Sequence, residues 1–245
     1  MSRSHRVRAA VALAACCALL VGCSSFTMPG DPPTDLVPSS LPQPVPSSTG
    51  NLSPDGFDAA QRMSVRVRNV GCGSVSTGSG FAIDEHTLIT NRHVIADSAE
   101  LQLSTYDGRD LAVSTSASAP VADLALVRTD DALPSATRLG DADPQPGDPI
   151  TVVGYPEGGA LTVTSGKVIG STPDPLHSNL GEVLLTDAPV EPGSSGSAVL
   201  DSTGVVVGVV YAKNDSGQSF VVPVSTLRSI LADESALVPS ATCSG

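Results

Sequence analysis

The stretch Gly193-Ser194-Ser195-Gly196-Ser197 follows Glu191-Pro192 and runs into the strand-like Ala198-Val199-Leu200. A nucleophilic serine needs glycines beside it, so that substrate can reach the backbone and N–H groups can face a developing oxyanion. In a chain this rich in Ser and Gly, the same string taken alone reads as a loop. Its meaning depends on whether the rest of the sequence supplies a base and a group to orient that base.

Three histidines lie beyond the apolar N-terminus: His86, His93 and His177. His86 sits in Asp84-Glu85-His86-Thr87, a hydrophilic turn, and His177 in the polar, proline-bearing stretch 173–179, so both read as loop residues. His93 differs, because apolar Leu88-Ile89-Thr90 leads directly into Asn91-Arg92-His93-Val94-Ile95. A strand end that delivers an imidazole beside buried residues suits a general base, whose orientation must be fixed. Most acids sit in evident turns such as Asp107-Gly108, but Asp123 opens the run Leu124-Ala125-Leu126-Val127. A carboxylate at the edge of an apolar strand is costly without a partner. A histidine ring N–H would serve, and would fix the tautomer that proton abstraction needs.

Around these residues the texture is that of an all-β protein. Short runs alternate with Gly, Pro, Asp and Ser punctuation: Val65-Arg66-Val67-Arg68, Gly80-Phe81-Ala82-Ile83, Leu88-Ile89-Thr90 and Leu101-Gln102-Leu103. Further runs fall at 124–127, 150–153, 161–169, 183–186, 205–211 and 219–222. Such spacing predicts sandwiches or barrels. One helix is expected, with Ser225 capping 226–232. Pro-rich 139–149 interrupts the strands and could join two halves. Aromatic residues are 3% with no Trp, so the core must be built from Val, Leu, Ile and Ala. Acids outnumber bases 25 to 13 in the 245 residues, which argues against nucleic acid as a partner, since little is present to replace phosphate counterions.

Thr90-Asn91-Arg92-His93-Val94, Ala122-Asp123-Leu124-Ala125-Leu126 and Gly193-Ser194-Ser195-Gly196-Ser197 together resemble the three signatures of the trypsin-like serine proteases. Their order, His, Asp, Ser, is that of the chymotrypsin-type double barrel; an α/β-hydrolase would present Ser first, in a Gly-x-Ser-x-Gly elbow. Thr186-Asp187-Ala188 and Phe220-Val221-Val222-Pro223 resemble the HtrA-type branch. With cysteines near both ends, the likeness is to the periplasmic acid-resistance proteases of that branch, over about 62–243.

The resemblance implies two six-stranded antiparallel β-barrels with the site in the cleft and a short C-terminal helix. Barrel 1, about 62–135, would carry His93 and Asp123, and barrel 2, about 145–223, would carry Ser195. Ser195 would attack the carbonyl, His93 would take and return the proton, and Asp123 would orient His93. The Gly193 and Ser195 N–H groups would form the oxyanion hole, and no metal or organic cofactor would be required. About twenty residues follow Pro223, so no PDZ domain is expected.

Several positions depart from the pattern. Ser194 stands where digestive enzymes carry the Asp that receives a newly cut N-terminus, so that zymogen switch is not expected. Ser197-Ala198 replaces the common Gly-Pro, and Pro189 replaces the pocket Asp of Arg/Lys cutters. The expected pocket walls, 188–190 and 208–212, are mostly apolar and suit a small or medium apolar P1 residue. A rival reading is a catalytically silent, protease-like lipoprotein that binds peptides or envelope proteins.

The N-terminus reads as an address. Arg3, Arg6 and Arg8 precede an apolar stretch ending in Leu20-Val21-Gly22-Cys23, which resembles a bacterial lipobox. Residues 1–22 would leave as a signal peptide and Cys23 would carry lipid, anchoring the chain to the outer face of the cytoplasmic membrane. Loss of those three arginines would make the mature chain more acidic than the full-length net charge of −12. Residues 23–56 form the lipidated Cys and a Pro/Ser-rich tether, with eight of the chain's twenty prolines between 24 and 54. Residues 57–245 form the protease domain, expected to act as a monomer on protein or peptide substrates. Of the five cysteines, Cys16 and Cys17 leave with the signal and Cys23 is lipidated. Cys72 and Cys243 remain, and in an oxidising compartment two cysteines suggest one disulfide.

Overall fold

A computed structural model describes residues 58–176, 180–240 and 243. The signal, Cys23, the tether and His177 lie outside the described residues.

The chain enters through a short helix α1 (Ala59–Met63) and then lays down β1 (Ser64–Gly71), β2 (Val75–Ala82) and β3 (Thr87–Asn91). A one-turn helix α2 (Arg92–Ile95) follows, then β4 (Ser98–Thr105), β5 (Asp110–Leu111), β6 (Val113–Ala119) and β7 (Leu124–Thr129). The second half contains β8 (Pro149–Gly154), β9 (Thr162–Pro173), β10 (Glu182–Thr186), β11 (Ala198–Leu200), β12 (Val206–Lys213) and β13 (Ser219–Pro223). Helix α3 (Val224–Ala232) and β14 (Val238–Pro239) complete it. Alternation drives β1: Val65 and Val67 are buried while Arg68 points outward. By contrast, all five residues of β3 are buried, so the strand leading to His93 is enclosed on both faces.

The second half closes as expected, into a six-stranded antiparallel barrel in the order β10-β13-β12-β11-β8-β9. Ile150, Val152, Val168, Leu184, Val199, Val207, Val210 and Val221 fill it, a core of β-branched and aliphatic side chains in place of aromatics. A larger core covers the first sheet and continues over Val153, Ala198, Val209 and Phe220 to Leu227 and Ile230 of α3.

The first half differs from the expected six-stranded barrel. It is an eight-stranded antiparallel sheet in the order β14-β6-β7-β3-β2-β1-β4-β5 whose ladder does not close. The reason lies in one strand-length of chain. Leu111 pairs with Leu103 of β4, whereas Val113, two residues on, pairs with Thr129 of β7. Ala112 therefore joins β5, at one edge of the sheet, directly to β6, which lies next to the other edge. Residues 98–102 of β4 pair on one side only, with β1. A groove of about 470 Å³ marks the seam, lined by Arg66, Gln102, Asp110 and Val113 among others.

Two smaller details also differ. Helix α3 starts at Val224, and Ser225 does not cap it. Instead the Asp143 carboxylate, from the Pro-rich connection, accepts the Ser225 N–H (2.9 Å) and hydroxyl (2.6 Å). A carboxylate suits a helix N-terminus better than a hydroxyl, because it also meets the positive end of the dipole. In addition, β6 carries few apolar residues in its Val-Ser-Thr-Ser-Ala-Ser-Ala run and is held by its ladder to β7.

The C-terminal segment returns to the first sheet. Val238 pairs with Ser118 of β6, and Cys243 is disulfide-bonded to Cys72, 171 positions away. Cys72 N–H donates to the Asp97 carbonyl at 3.1 Å. A bridge across so long a loop restricts the unfolded chain strongly, so its removal should cost about 2–5 kcal/mol. We expect a Cys72→Ser/Cys243→Ser double variant to unfold at lower urea concentration than wild type. Coincident midpoints would show that the bridge does not stabilise the fold.

Candidate active site

His93 is fixed from below by its neighbours. Thr90 and Asn91 are buried in β3, and Val94 and Ile95 are buried in α2, while the imidazole remains 47% exposed. Asp123 ends the turn between β6 and β7 with a left-handed backbone (φ 49°), unusual for a residue other than glycine. That strained conformation is stabilised by bonds on the residue's own carbonyl, which accepts Arg92 N–H and Asn91 Nδ2–H, each at 3.0 Å. The carboxylate then faces back toward α2. Oδ1 accepts the His93 backbone N–H (3.0 Å), and Oδ2 lies 2.6 Å from His93 Nδ1. An ionised carboxylate only accepts, so the ring proton sits on Nδ1 and Nε2 is left as the acceptor.

Ser195 comes from the loop between β10 and β11. Gly193 (φ 93°) and Gly196 (φ 86°) flank it in a region that side chains avoid. A Cβ on Gly196 would overlap the Ser79 carbonyl of β2. Gly78 lies between the two site segments. A Cβ there would stand 2.5 Å from Val94 Cγ1, beside His93, and 3.2 Å from the Ser195 carbonyl. The Ser195 hydroxyl makes one hydrogen bond among the described residues, to the Tyr211 carbonyl at a long 3.4 Å, and none to His93. The Gly193 and Ser195 N–H groups donate to no described group.

A recess of about 90 Å³ adjoins Ser195, lined by Val190, Glu191, Pro192, Val210, Ala212 and Lys213. Val190, Val210 and Ala212 are among the expected walls. Pro189 lines an adjoining apolar cavity of about 130 Å³ with Val152 and Thr164, which shares Val190, Glu191 and Ser194 with the recess, and Ala188 is in the barrel core. Sequence reasoning missed the ion pair between Lys213 Nζ and Glu191 Oε2 (2.5 Å) at this recess. It also missed Ser79, whose one signal was its place between Gly78 and Gly80, small residues that allow close backbone approach. His86 stays apart from the site, with Nδ1 3.1 Å from the Thr129 carbonyl. Among the described residues no three His, Cys, Asp or Glu side chains gather as metal ligands.

With this geometry in view, comparison with known proteins is direct. Residues 78–209 match the model of the trypsin-like peptidase domain, and the chain belongs to that family. Within it the relatives are of the HtrA type. The mitochondrial serine protease HTRA2 of Bos taurus is 34% identical over 166 residues, 64% of this chain and 36% of the relative. A probable periplasmic serine endoprotease, DegP-like, of Pseudomonas fluorescens is 31% identical over 162 residues, 63% of this chain and 34% of the relative. The chain thus spans about a third of the length of these curated relatives. The active form of the Rv3671c protease of M. tuberculosis (MarP) superposes with a TM-score of 0.64 at 25% identity, over 76% of this chain and 85% of that one.

Two tyrosines behind the site have raised pKa values. Burial lifts Tyr155 to about 12, against the opposing pull of the Arg66 guanidinium 5.1 Å from its ring centroid. Burial also raises Tyr211, reinforced by its 2.7 Å bond to Asp174 and by the charges of Asp174 and Asp123. The folded protein keeps these protons at a pH where the unfolded chain, titrating near 10, has lost them. Their contribution to stability is therefore full below pH 10 and falls as pH rises toward about 12. Urea midpoints should be lower at about pH 11.5 than at about pH 9. Tyr155→Phe should shrink the difference, and an unchanged difference would remove Tyr155 as its source.

Proposed function

We propose that this chain is an extracytoplasmic serine endopeptidase, held at the membrane by lipid on Cys23, that cleaves peptide bonds through an acyl-enzyme on Ser195. The observation that carries the reading is the grip of one buried carboxylate, Asp123, on both the ring and the backbone N–H of His93. Combined with the N–H groups of Gly193 and Ser195, which donate to no described group, this supplies an oriented base and an anion site.

In this mechanism the Ser195 hydroxyl turns from the Tyr211 carbonyl toward His93 Nε2. Its oxygen attacks the substrate carbonyl as Nε2 takes the proton, and Asp123 stabilises the resulting imidazolium. The tetrahedral oxyanion sits on the Gly193 and Ser195 N–H groups. His93 then gives the proton to the leaving amine, and water, activated by the same imidazole, releases the acyl group. The small recess beside Ser195 suits a small or medium apolar P1 side chain. Because Lys213 already neutralises Glu191, no free carboxylate remains there to draw Arg or Lys. The lipid anchor and the envelope location belong to this same reading, supported by the lipobox-like Cys23 and by the probable periplasmic relatives, and the monomeric state is proposed with them.

One observation favours the silent, binding-only alternative: the Ser195 hydroxyl rests on Tyr211 and not on His93. A fluorophosphonate probe separates the two. Wild type should label and Ser195→Ala should not, and Asp123→Asn should slow labelling by about 10⁴-fold because the wrong tautomer prevails. A folded wild type that never labels would leave the binding reading standing. Digestion of a peptide library should show small apolar residues at P1, and dominance of Arg, Lys or Glu would overturn that preference.

A further inference from the structure

Three peptide planes lie between Pro192 and Ser195, and the described chain has no cis bond. In a trans peptide the C=O and N–H point opposite ways, so fixing a plane's carbonyl aims its N–H. The carbonyl of Pro192 accepts Glu157 N–H at 2.5 Å. That of Gly193 accepts the Ser79 hydroxyl at 2.9 Å, and that of Ser194 accepts Ser197 N–H at 2.9 Å. The Ser194 N–H is itself taken by the Glu191 carbonyl at 2.9 Å, which leaves the N–H groups of Gly193 and Ser195 as the donors with no acceptor among the described residues.

One side chain acts on two of these planes. The Ser79 hydroxyl accepts Tyr155 N–H at 2.8 Å while it donates to Gly193. Tyr155 begins the Tyr155-Pro156-Glu157 turn, and it is Glu157 N–H that holds the Pro192 carbonyl. Backbone bonds place Ser79 itself. Its N–H donates to the Ser195 carbonyl at 2.8 Å, and its own carbonyl accepts Thr90 Oγ1 at 2.7 Å, three residues before His93. The residue is wholly buried, out of reach of substrate.

We propose that Ser79 is the positioning residue of the oxyanion site, acting through the Gly193 carbonyl and the Tyr155–Glu157 turn. The inference rests on the peptidase reading above. A hydroxyl is needed because it must accept and donate at once. A methyl group would leave Tyr155 N–H and the Gly193 carbonyl unpaired in a buried site. Gly193, with no Cβ and a positive φ, would then be free to turn its neighbouring planes away. Nothing in this change touches the bond between Asp123 and His93.

The test uses the full chain and a fluorophosphonate probe at increasing concentration, with melting followed by calorimetry. In Ser79→Ala the maximal labelling rate should fall about 10- to 100-fold, less than the 10²–10³ typical when a donor itself is deleted. The half-saturating probe concentration and the pH midpoint of the rate should match wild type. Ser79→Cys, nearly the same shape but a weak donor and acceptor, should fall between the two. A Ser79→Ala rate within twofold of wild type overturns the proposal, and so does a shifted pH midpoint, which would place the residue's effect on His93. Where Ser79→Ala does not fold, Ser79→Cys decides by the same readouts. A wild type that does not label removes the peptidase reading, and this inference with it. Normal labelling by both proteins removes this inference alone.

Discussion

Where β2 meets the Ser195 loop, the two backbones lie too close for a side chain on Gly78 or on Gly196. A Cβ at Gly78 would stand 3.2 Å from the Ser195 carbonyl, and one at Gly196 would overlap the Ser79 carbonyl. This contact joins the first sheet to the barrel, and it sets where Ser195 stands relative to His93. The two residues come from halves with separate hydrogen-bond ladders, so no strand pairing fixes their distance. Their relation depends on bonds across this junction, from Ser79 N–H to the Ser195 carbonyl and from the Ser79 hydroxyl to the Gly193 carbonyl, and on the glycines that permit them.

A second economy appears at Asp123. Its buried carboxylate needs partners, and its left-handed backbone needs compensation. Both needs are met by the segment that also carries His93, through Asn91, Arg92 and the imidazole. The strain and the desolvation are thus repaid by contacts that orient the ring. Substituting Asp123 would leave both the ring and the backbone N–H of His93 without an acceptor, so the loss should disturb the local backbone as well as the tautomer.

The site segments were legible because each breaks a local expectation. An acid at the edge of an apolar strand is costly unless a partner waits elsewhere, and a histidine at the end of one can supply it, whereas the Gly193–Ser197 string reads as a loop until it is set beside these two. The closed barrel was legible for another reason, since long β-branched runs such as 205–211 have few alternatives. What stayed hidden depends on distant contacts. Ser79 is a small polar residue in a small polar run, and only the approach of Gly193, 114 positions away, makes its hydroxyl matter. The ion pair of Glu191 and Lys213 spans 22 positions and leaves no mark in composition. The open seam of the first sheet turns on a change of partner at Ala112 that no periodicity reports.

What holds the site still is unevenly distributed, and the unevenness has a mechanistic sense. His93 is gripped twice by Asp123, at the ring and at the backbone N–H, and the three peptide planes before Ser195 are each tied by their carbonyls. The loosest member is the Ser195 hydroxyl, on a single 3.4 Å bond. Dipoles that stabilise a developing charge gain most by being fixed beforehand, since reorienting them during reaction would consume the energy they supply. A hydroxyl is different, because it turns about one torsion between staggered wells at small cost. In the peptidase reading, the structure fixes the groups whose reorientation would be expensive and leaves mobile the one atom whose rotation is cheap.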